Sequence, residues 1–62
     1  MEVTFTAVHE NDRHFVVCNV HSVELTYIKS GGKLARVWAV ILNDGKQKTF
    51  KRKDYNLLYV CG

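Results

Sequence analysis

A cluster of basic residues in the last third of the chain is the feature best suited to chemistry. Five cations fall within eight residues, namely Lys46, Lys48, Lys51, Arg52 and Lys53. The aromatic residues Phe50 and Tyr55 are interleaved with them or follow them. Cationic side chains neutralise phosphates and aromatic rings stack on unpaired bases, which is how small β-barrels bind nucleic acid with little sequence preference. The cluster therefore predicts a nucleic-acid contact, with Tyr55 as the stacking ring.

Two other interpretations account for the same residues. Lysines on a solvated edge strand prevent edge-to-edge aggregation, and Phe50 and Tyr55 would then belong to the core. An acidic protein surface would also satisfy these cations. The sequence contains no recognition helix and no convergent amide or arginine pair, so phosphate neutralisation with little base readout is the expected mode of nucleic-acid binding.

Histidines and cysteines make a weaker case for a metal site. The candidate ligands are His9, His14, Cys18, His21 and Cys61. Structural zinc sites take their ligands in closely spaced pairs, and the sequence does not contain two such pairs. On an extended strand Cys18 and His21 would also point to opposite faces. We therefore expect neither a metal ion nor another cofactor.

No pattern of residues indicates catalysis. A Cys18–His21 nucleophile pair fails because the two side chains point apart, and no carboxylate or oxyanion hole can be identified for it. Gly31-Gly32-Lys33 lacks the spacing of a phosphate-binding loop and is explained by a hairpin turn. A chain of 62 residues is also short for a closed active-site cleft. The sequence favours a binding module over an enzyme.

The elements that must position the basic cluster are centred on a hairpin. An apolar strand over Leu34–Leu42 is followed by Asn43-Asp44-Gly45 and then by a polar strand over Lys46–Lys51. Asp-Gly between strand-like segments is a strong hairpin signal, because glycine accepts a positive φ. A three-residue loop would place Trp38 opposite Phe50, whereas a two-residue loop would oppose Ala39 to Phe50. The favourable aromatic pair favours the three-residue loop.

The apolar strand of this hairpin supports an alternative function. It is apolar on both faces, which indicates a central strand or one that meets another subunit. If the face carrying Trp38, Val40 and Leu42 were uncovered, it would form a patch too large for a monomer to expose. The alternative is therefore a protein-binding or self-associating module, such as a compact phage or mobile-element inhibitor, that acts through a β-edge or the Trp38 face.

The rest of the sequence also alternates like strands. Residues 3–8 predict a strand with Val3, Phe5 and Ala7 inward, and the polar residues 9–13 predict a chain reversal. Residues 14–28 are too long for one flat strand, so we expect a bulge or bend near Asn19–Ser22, with a short helix over Val16–Val23 as the alternative.

A second hairpin turn at Ser30-Gly31-Gly32-Lys33 and a last strand over Leu57–Cys61 complete the prediction. The expected fold is a single all-β domain over residues 1–62, with about five short antiparallel strands in a small sheet or barrel of SH3-like or OB-like size.

Size and charge add expectations about partners. A 62-residue chain buries only about 60% of the surface that its unfolded form exposes, which favours a homodimer as a source of further burial. The net charge of +3 is uneven, because residues 1–28 sum to −3 and residues 29–62 to +6. This asymmetry suits a polyanion or an acidic protein surface. With no secretory signal and no apolar run of transmembrane length, we expect a cytoplasmic protein with reduced thiols.

Overall fold

Six antiparallel strands form two three-stranded sheets. In this computed structural model, which describes residues 1–62, the strands are β1 (Glu2–Ala7), β2 (Arg13–Val17), β3 (Val20–Ser30), β4 (Lys33–Leu42), β5 (Gln47–Lys51) and β6 (Tyr55–Cys61). The order is β2-β1-β6 in the first sheet and β3-β4-β5 in the second. The predicted all-β class is confirmed, although the sheets do not close into a barrel. The structure contains no helix long and apolar enough to cross a membrane.

The segment over residues 14–28 explains why there are six strands rather than about five. It divides into β2 and β3 at Cys18 and Asn19, and Asn19 has a φ of 59°, a left-handed conformation that asparagine tolerates better than most residues. The register of β3 against β4 then shifts between Val20 and Ser22. The expected bend near Asn19–Ser22 is confirmed. The alternative helix over Val16–Val23 is wrong, since its β-branched residues pair as strands.

Because of this bend, one continuous stretch of chain contributes a strand to each of the two sheets. The N–H of Val20 donates to the carbonyl of Met1 at 2.9 Å, and the Met1 amino group donates to the carbonyl of Val20 at 3.0 Å. Beyond Val20 the chain leaves β1 and pairs with β4. The Asn43 N–H also donates to the carbonyl of Asn19 at 2.8 Å, which fixes the bend against the loop that follows β4. Strands that change sheets at such a corner allow two sheets to pack face to face.

The central strand of the first sheet forms the core as predicted. Val3, Phe5 and Ala7 all point inward and are buried. Thr4 and Thr6, on the opposite face, are buried as well, because β1 lies between β2 and β6 and the side chains of both neighbours flank it. The alternating sequence pattern thus predicted the inward face of β1 correctly, but it did not predict that the side chains on the opposite face are buried too.

Both predicted hairpin turns are present. Gly31 and Gly32 have φ values of 59° and 80°, which suit the tight turn between β3 and β4. Gly45, with a φ of 89°, ends a three-residue loop between β4 and β5. Trp38 therefore lies opposite Phe50, which confirms the aromatic cross-strand pair.

Aromatic rings from both sheets meet in the core. Phe5 lies 4.9 Å from Phe50 and 5.7 Å from Phe15, measured between ring centroids. Tyr55 packs edge-on against Phe15 and Phe50, at 5.6 and 5.4 Å. Trp38 completes the group at 6.3 Å from Phe5. Phe5 thus touches rings from both sheets and lies at the centre of the contact between them.

We predict that Phe5→Ala lowers the free energy of unfolding by about 3–5 kcal/mol, because it removes the ring at the centre of the aromatic group. Val16→Ala, on the exposed side of β2, is the control and should change it by less than about 0.5 kcal/mol. Urea denaturation followed by Trp38 fluorescence measures both values. Equal effects of the two substitutions would contradict this account of the core.

Candidate nucleic-acid interface

A basic groove forms where β4 extends beyond the end of β5. Its volume is about 460 Å³, and it is lined by Ser30, Lys33, Leu34, Ala35, Arg36, Lys51, Arg52 and Lys53. Five of these eight residues are cationic and none is acidic. We call this surface the basic groove. The fold thus places cations from two separate parts of the sequence around one groove.

Backbone hydrogen bonds hold the two walls of the basic groove together. Residues 33–36 come from the start of β4, and residues 51–53 come from the end of β5 and the following turn. The N–H of Arg52 donates to the carbonyl of Arg36 at 2.9 Å and extends the pairing by one residue beyond β5. The N–H of Asp54 donates to the carbonyl of Lys51 at 3.1 Å and closes the turn. The spacing of the two walls is therefore set by the main chain.

None of the five cations of the basic groove forms an ion pair within the chain. The one salt bridge in the structure joins His9 and Asp54, at 3.3 Å between Nε2 and Oδ1. The Arg52 guanidinium donates to Oδ1 of Asn56 at 2.6 Å and lies 5.8 Å from the ring centroid of Trp38. These neutral neighbours orient the guanidinium without neutralising it, so its charge remains available to an anion.

The edge of β4 also offers main-chain groups to the basic groove. The N–H of Leu42 donates to the carbonyl of Lys46, and the carbonyl of Arg36 accepts a hydrogen bond from the N–H of Arg52. The main-chain N–H and carbonyl groups of the even-numbered residues of β4 therefore point toward β5. Leu34 is the next even-numbered residue, and β5 has no residue opposite it. Its N–H and carbonyl are therefore free at the sheet edge among the cations. A backbone N–H in this position can donate to a phosphate oxygen.

Tyr27 adds an exposed aromatic ring beside the basic groove. It lies opposite Arg36 in the β3–β4 ladder, and the Arg36 guanidinium is 5.9 Å from the ring centroid. The residue is 61% exposed, whereas most rings of the chain pack in the core. A ring held by a guanidinium and open to solvent can stack on an unpaired base.

Sequence reasoning did not single out Tyr27, Lys33 or Arg36 as site residues. The uneven charge of residues 29–62 included the two cations, but they precede the basic cluster by ten or more positions. Only the register of β4 against β3 and β5 makes them neighbours of Tyr27 and of residues 51–53. The Ser30–Lys33 hairpin was the available signal, because its turn begins the strand that carries both.

The residues of the predicted basic cluster separate in the structure. The basic groove is lined by Lys51, Arg52 and Lys53. Lys48 lies opposite Val40 in β5, and Lys46 immediately precedes the first residue of that strand, so both lie away from the groove. All five cations are exposed.

Tyr55, the predicted stacking ring, is half-buried among core phenyl groups, and Tyr27 has the more accessible ring. Of the two rings, Tyr27 is therefore the one that a ligand in solution can reach.

The face carrying Trp38, Val40 and Leu42 is turned toward the first sheet of the same chain. Val40 has no exposed surface, and Trp38 and Leu42 are partly buried against the core cluster. The Trp38 indole N–H donates to the carbonyl of Tyr55 at 3.1 Å. The interface hypothesis for this face required it to be uncovered, and the first sheet covers it.

The histidines and cysteines are dispersed. Both Cys18 and Cys61 are free and exposed, and Cys18 Sγ lies 3.8 Å from a carboxylate oxygen of Glu2. The structure brings no three His, Cys, Asp or Glu side chains together in a way that could hold a metal ion.

Comparison with known proteins gives no relative for this chain: no family model, no curated protein and no solved structure matches it.

We predict that inorganic pyrophosphate binds in the basic groove. In a titration followed by ¹⁵N NMR, the largest shifts should fall on amides of residues 33–36 and 51–53, including Leu34. Lys46 and Lys48 serve as internal controls, because they are exposed cations outside the groove. Shifts of equal size at Lys46 and Lys48 would contradict a localised anion site.

Proposed function

We propose that the protein is a small nucleic-acid-binding module that neutralises backbone phosphates in the basic groove. The observation that carries the proposal is that five cations without an ion pair, from two separate segments, line one groove that holds no acidic residue. The cations that line the groove repel one another, and phosphates that enter the groove relieve the repulsion. Release of condensed counterions from the nucleic acid adds the main driving force.

The composition of the groove supports binding with little sequence preference. Lysine ammonium groups on flexible stems follow a phosphate backbone without reading bases. Apart from its two arginines, the groove holds no side chain of the types that discriminate base edges, since no Asn, Gln, Asp or Glu lines it. The Leu34 N–H adds a fixed donor for a phosphate oxygen, and the Tyr27 ring lies where a base could stack. This arrangement favours a single strand with accessible bases over a duplex.

We propose a binding role without catalysis, acting in the cytoplasm. The groove is lined by cationic, small and apolar side chains and offers no general base or nucleophile activated by one. Two exposed cysteines without a disulfide fit a reducing compartment.

A matched pair of double variants tests whether the groove, rather than overall charge, carries binding. Lys33→Gln with Arg36→Gln removes two charges from the groove, and Lys46→Gln with Lys48→Gln removes two charges outside it. The groove variant should lose two phosphate contacts and reduce the slope of log K against log salt by about 1.4 for single strands, while the control keeps its slope. Fluorescence anisotropy with a labelled oligonucleotide measures both. Equal loss in both variants would refute the groove as the site.

Tyr27 tests the preference for unpaired bases. Tyr27→Ala should weaken single-strand binding by about 1–3 kcal/mol, the usual contribution of one base stacked on an aromatic ring, and should leave duplex binding unchanged. Tyr27→Phe keeps the ring and should retain the affinity of the wild type. Because the side chain is largely exposed, neither change should affect folding. Parallel losses for single strands and duplexes would contradict stacking.

A further inference from the structure

We infer that the protein forms a two-fold symmetric dimer in which β6 pairs antiparallel with β6 of a second copy. β6 lies at the edge of the first sheet, and its only strand neighbour is β1. The pairing would join two first sheets into one continuous six-stranded sheet. This surface lies outside the basic groove, and the inference does not depend on nucleic-acid binding.

Charge indicates that the partner is a second copy. β6 is the only strand of the structure without a charged side chain. The other edge strands carry charge, such as Arg13 on β2, Glu24 and Lys29 on β3, and Lys48 and Lys51 on β5. Pairing β5 with itself would bring lysines together, which is unfavourable. β6 can pair with itself without opposing any charges, and an acidic or basic partner would gain nothing from it.

The exposed side chains of β6 support the same partner. Leu58, Tyr59 and Val60 are 48%, 58% and 45% exposed, and they are consecutive, so they line both faces of the sheet edge. β6 contains neither a charged side chain nor a proline, two of the features that keep an edge strand from pairing with another chain. In a two-fold symmetric pair, the β6 edge of each copy is covered by the β6 edge of the other. No β6 edge then remains exposed to bind a third copy.

The register shows which main-chain groups are free for this pairing. The N–H of Val8 donates to the carbonyl of Asp54 at 2.9 Å. Because main-chain groups alternate in direction along a strand, the N–H and carbonyl of Asn56 point toward β1 and those of Leu57 point outward. The register shift opposite Thr4 and Phe5 adds one residue to β6 and so reverses this alternation. Beyond the shift, the main-chain groups of Tyr59 point toward β1 and the N–H and carbonyl of Val60 point outward.

One end of the β6 edge is closed by the chain itself. The Tyr55 carbonyl, which also faces outward, accepts the Trp38 indole N–H. The free edge therefore runs over residues 57–61.

Sedimentation velocity or light scattering at micromolar to submillimolar protein tests the inference. The wild type should show twice the chain mass of 7.1 kDa. Val60→Pro removes a main-chain N–H that points outward from β6 and leaves the hydrogen bonds to β1 in place. Leu58→Lys places a cation on the outer edge of β6, where the two copies would pair. Both variants should therefore be monomers. Val16→Lys is the control, because Val16 is an equally exposed apolar residue on the opposite edge of the same sheet, and this variant should remain a dimer.

A wild type that is monomeric over this concentration range would overturn the inference, as would a Leu58→Lys variant that stays dimeric while Val16→Lys dissociates. Circular dichroism establishes that each variant is folded. Should Val60→Pro not fold, Leu58→Lys decides the question alone. Growth into larger assemblies with concentration would also overturn a closed two-fold contact. The groove variant Lys33→Gln with Arg36→Gln should remain dimeric, which separates this inference from the proposed function.

Discussion

The bend at Asn19 is the constraint on which the rest of the structure depends. It allows one β-branched segment to pair first with β1 and then with β4, so that two three-stranded sheets share a single core. Asparagine at this position accepts the left-handed backbone conformation, and hydrogen bonds from Val20 to Met1 and from Asn43 to Asn19 hold both sides of the bend. Without the bend the rings around Phe5 would not meet, and neither sheet would bury its inner face.

The same arrangement determines where the protein is open to a partner. The β3–β4 hairpin is longer than the strands of the first sheet, and β5 ends at Lys51, so the start of β4 has a partner on one side only. That unpaired edge becomes the floor of the basic groove. In the other sheet β6 is an edge strand, and its outer edge is free over residues 57–61. The two sites proposed for binding and for self-association thus lie on different sheets, and two copies joined through β6 would present two basic grooves.

Local sequence patterns were sufficient for much of this fold. Glycines with aspartate or lysine beside them marked both hairpins, alternation marked β1, and the polar interruption in residues 14–28 marked the bend. The fold class, the loop type and the pairing of Trp38 with Phe50 followed from those signals. The closure of the two sheets did not, since it depends on the contact between rings that are far apart in sequence.

The site was only half predictable for the same reason. Lys51, Arg52 and Lys53 are consecutive and therefore visible as a cluster, whereas Lys33 and Arg36 join them only through strand register. Tyr55 was placed beside the cations by sequence but takes part in the core, because its ring is on the inward face of β6. Tyr27 looked like one more alternating strand residue, and its exposure results from the hairpin extending past the first sheet.

The salt dependence of wild-type binding tests most directly whether phosphates enter the basic groove. Affinity for a generic single-stranded oligonucleotide would be measured by anisotropy between 50 and 200 mM salt. If the five groove cations neutralise about five phosphates, affinity should fall on the order of a hundredfold over this range. Absence of binding at the lowest salt, or an affinity that salt does not change, would contradict the account.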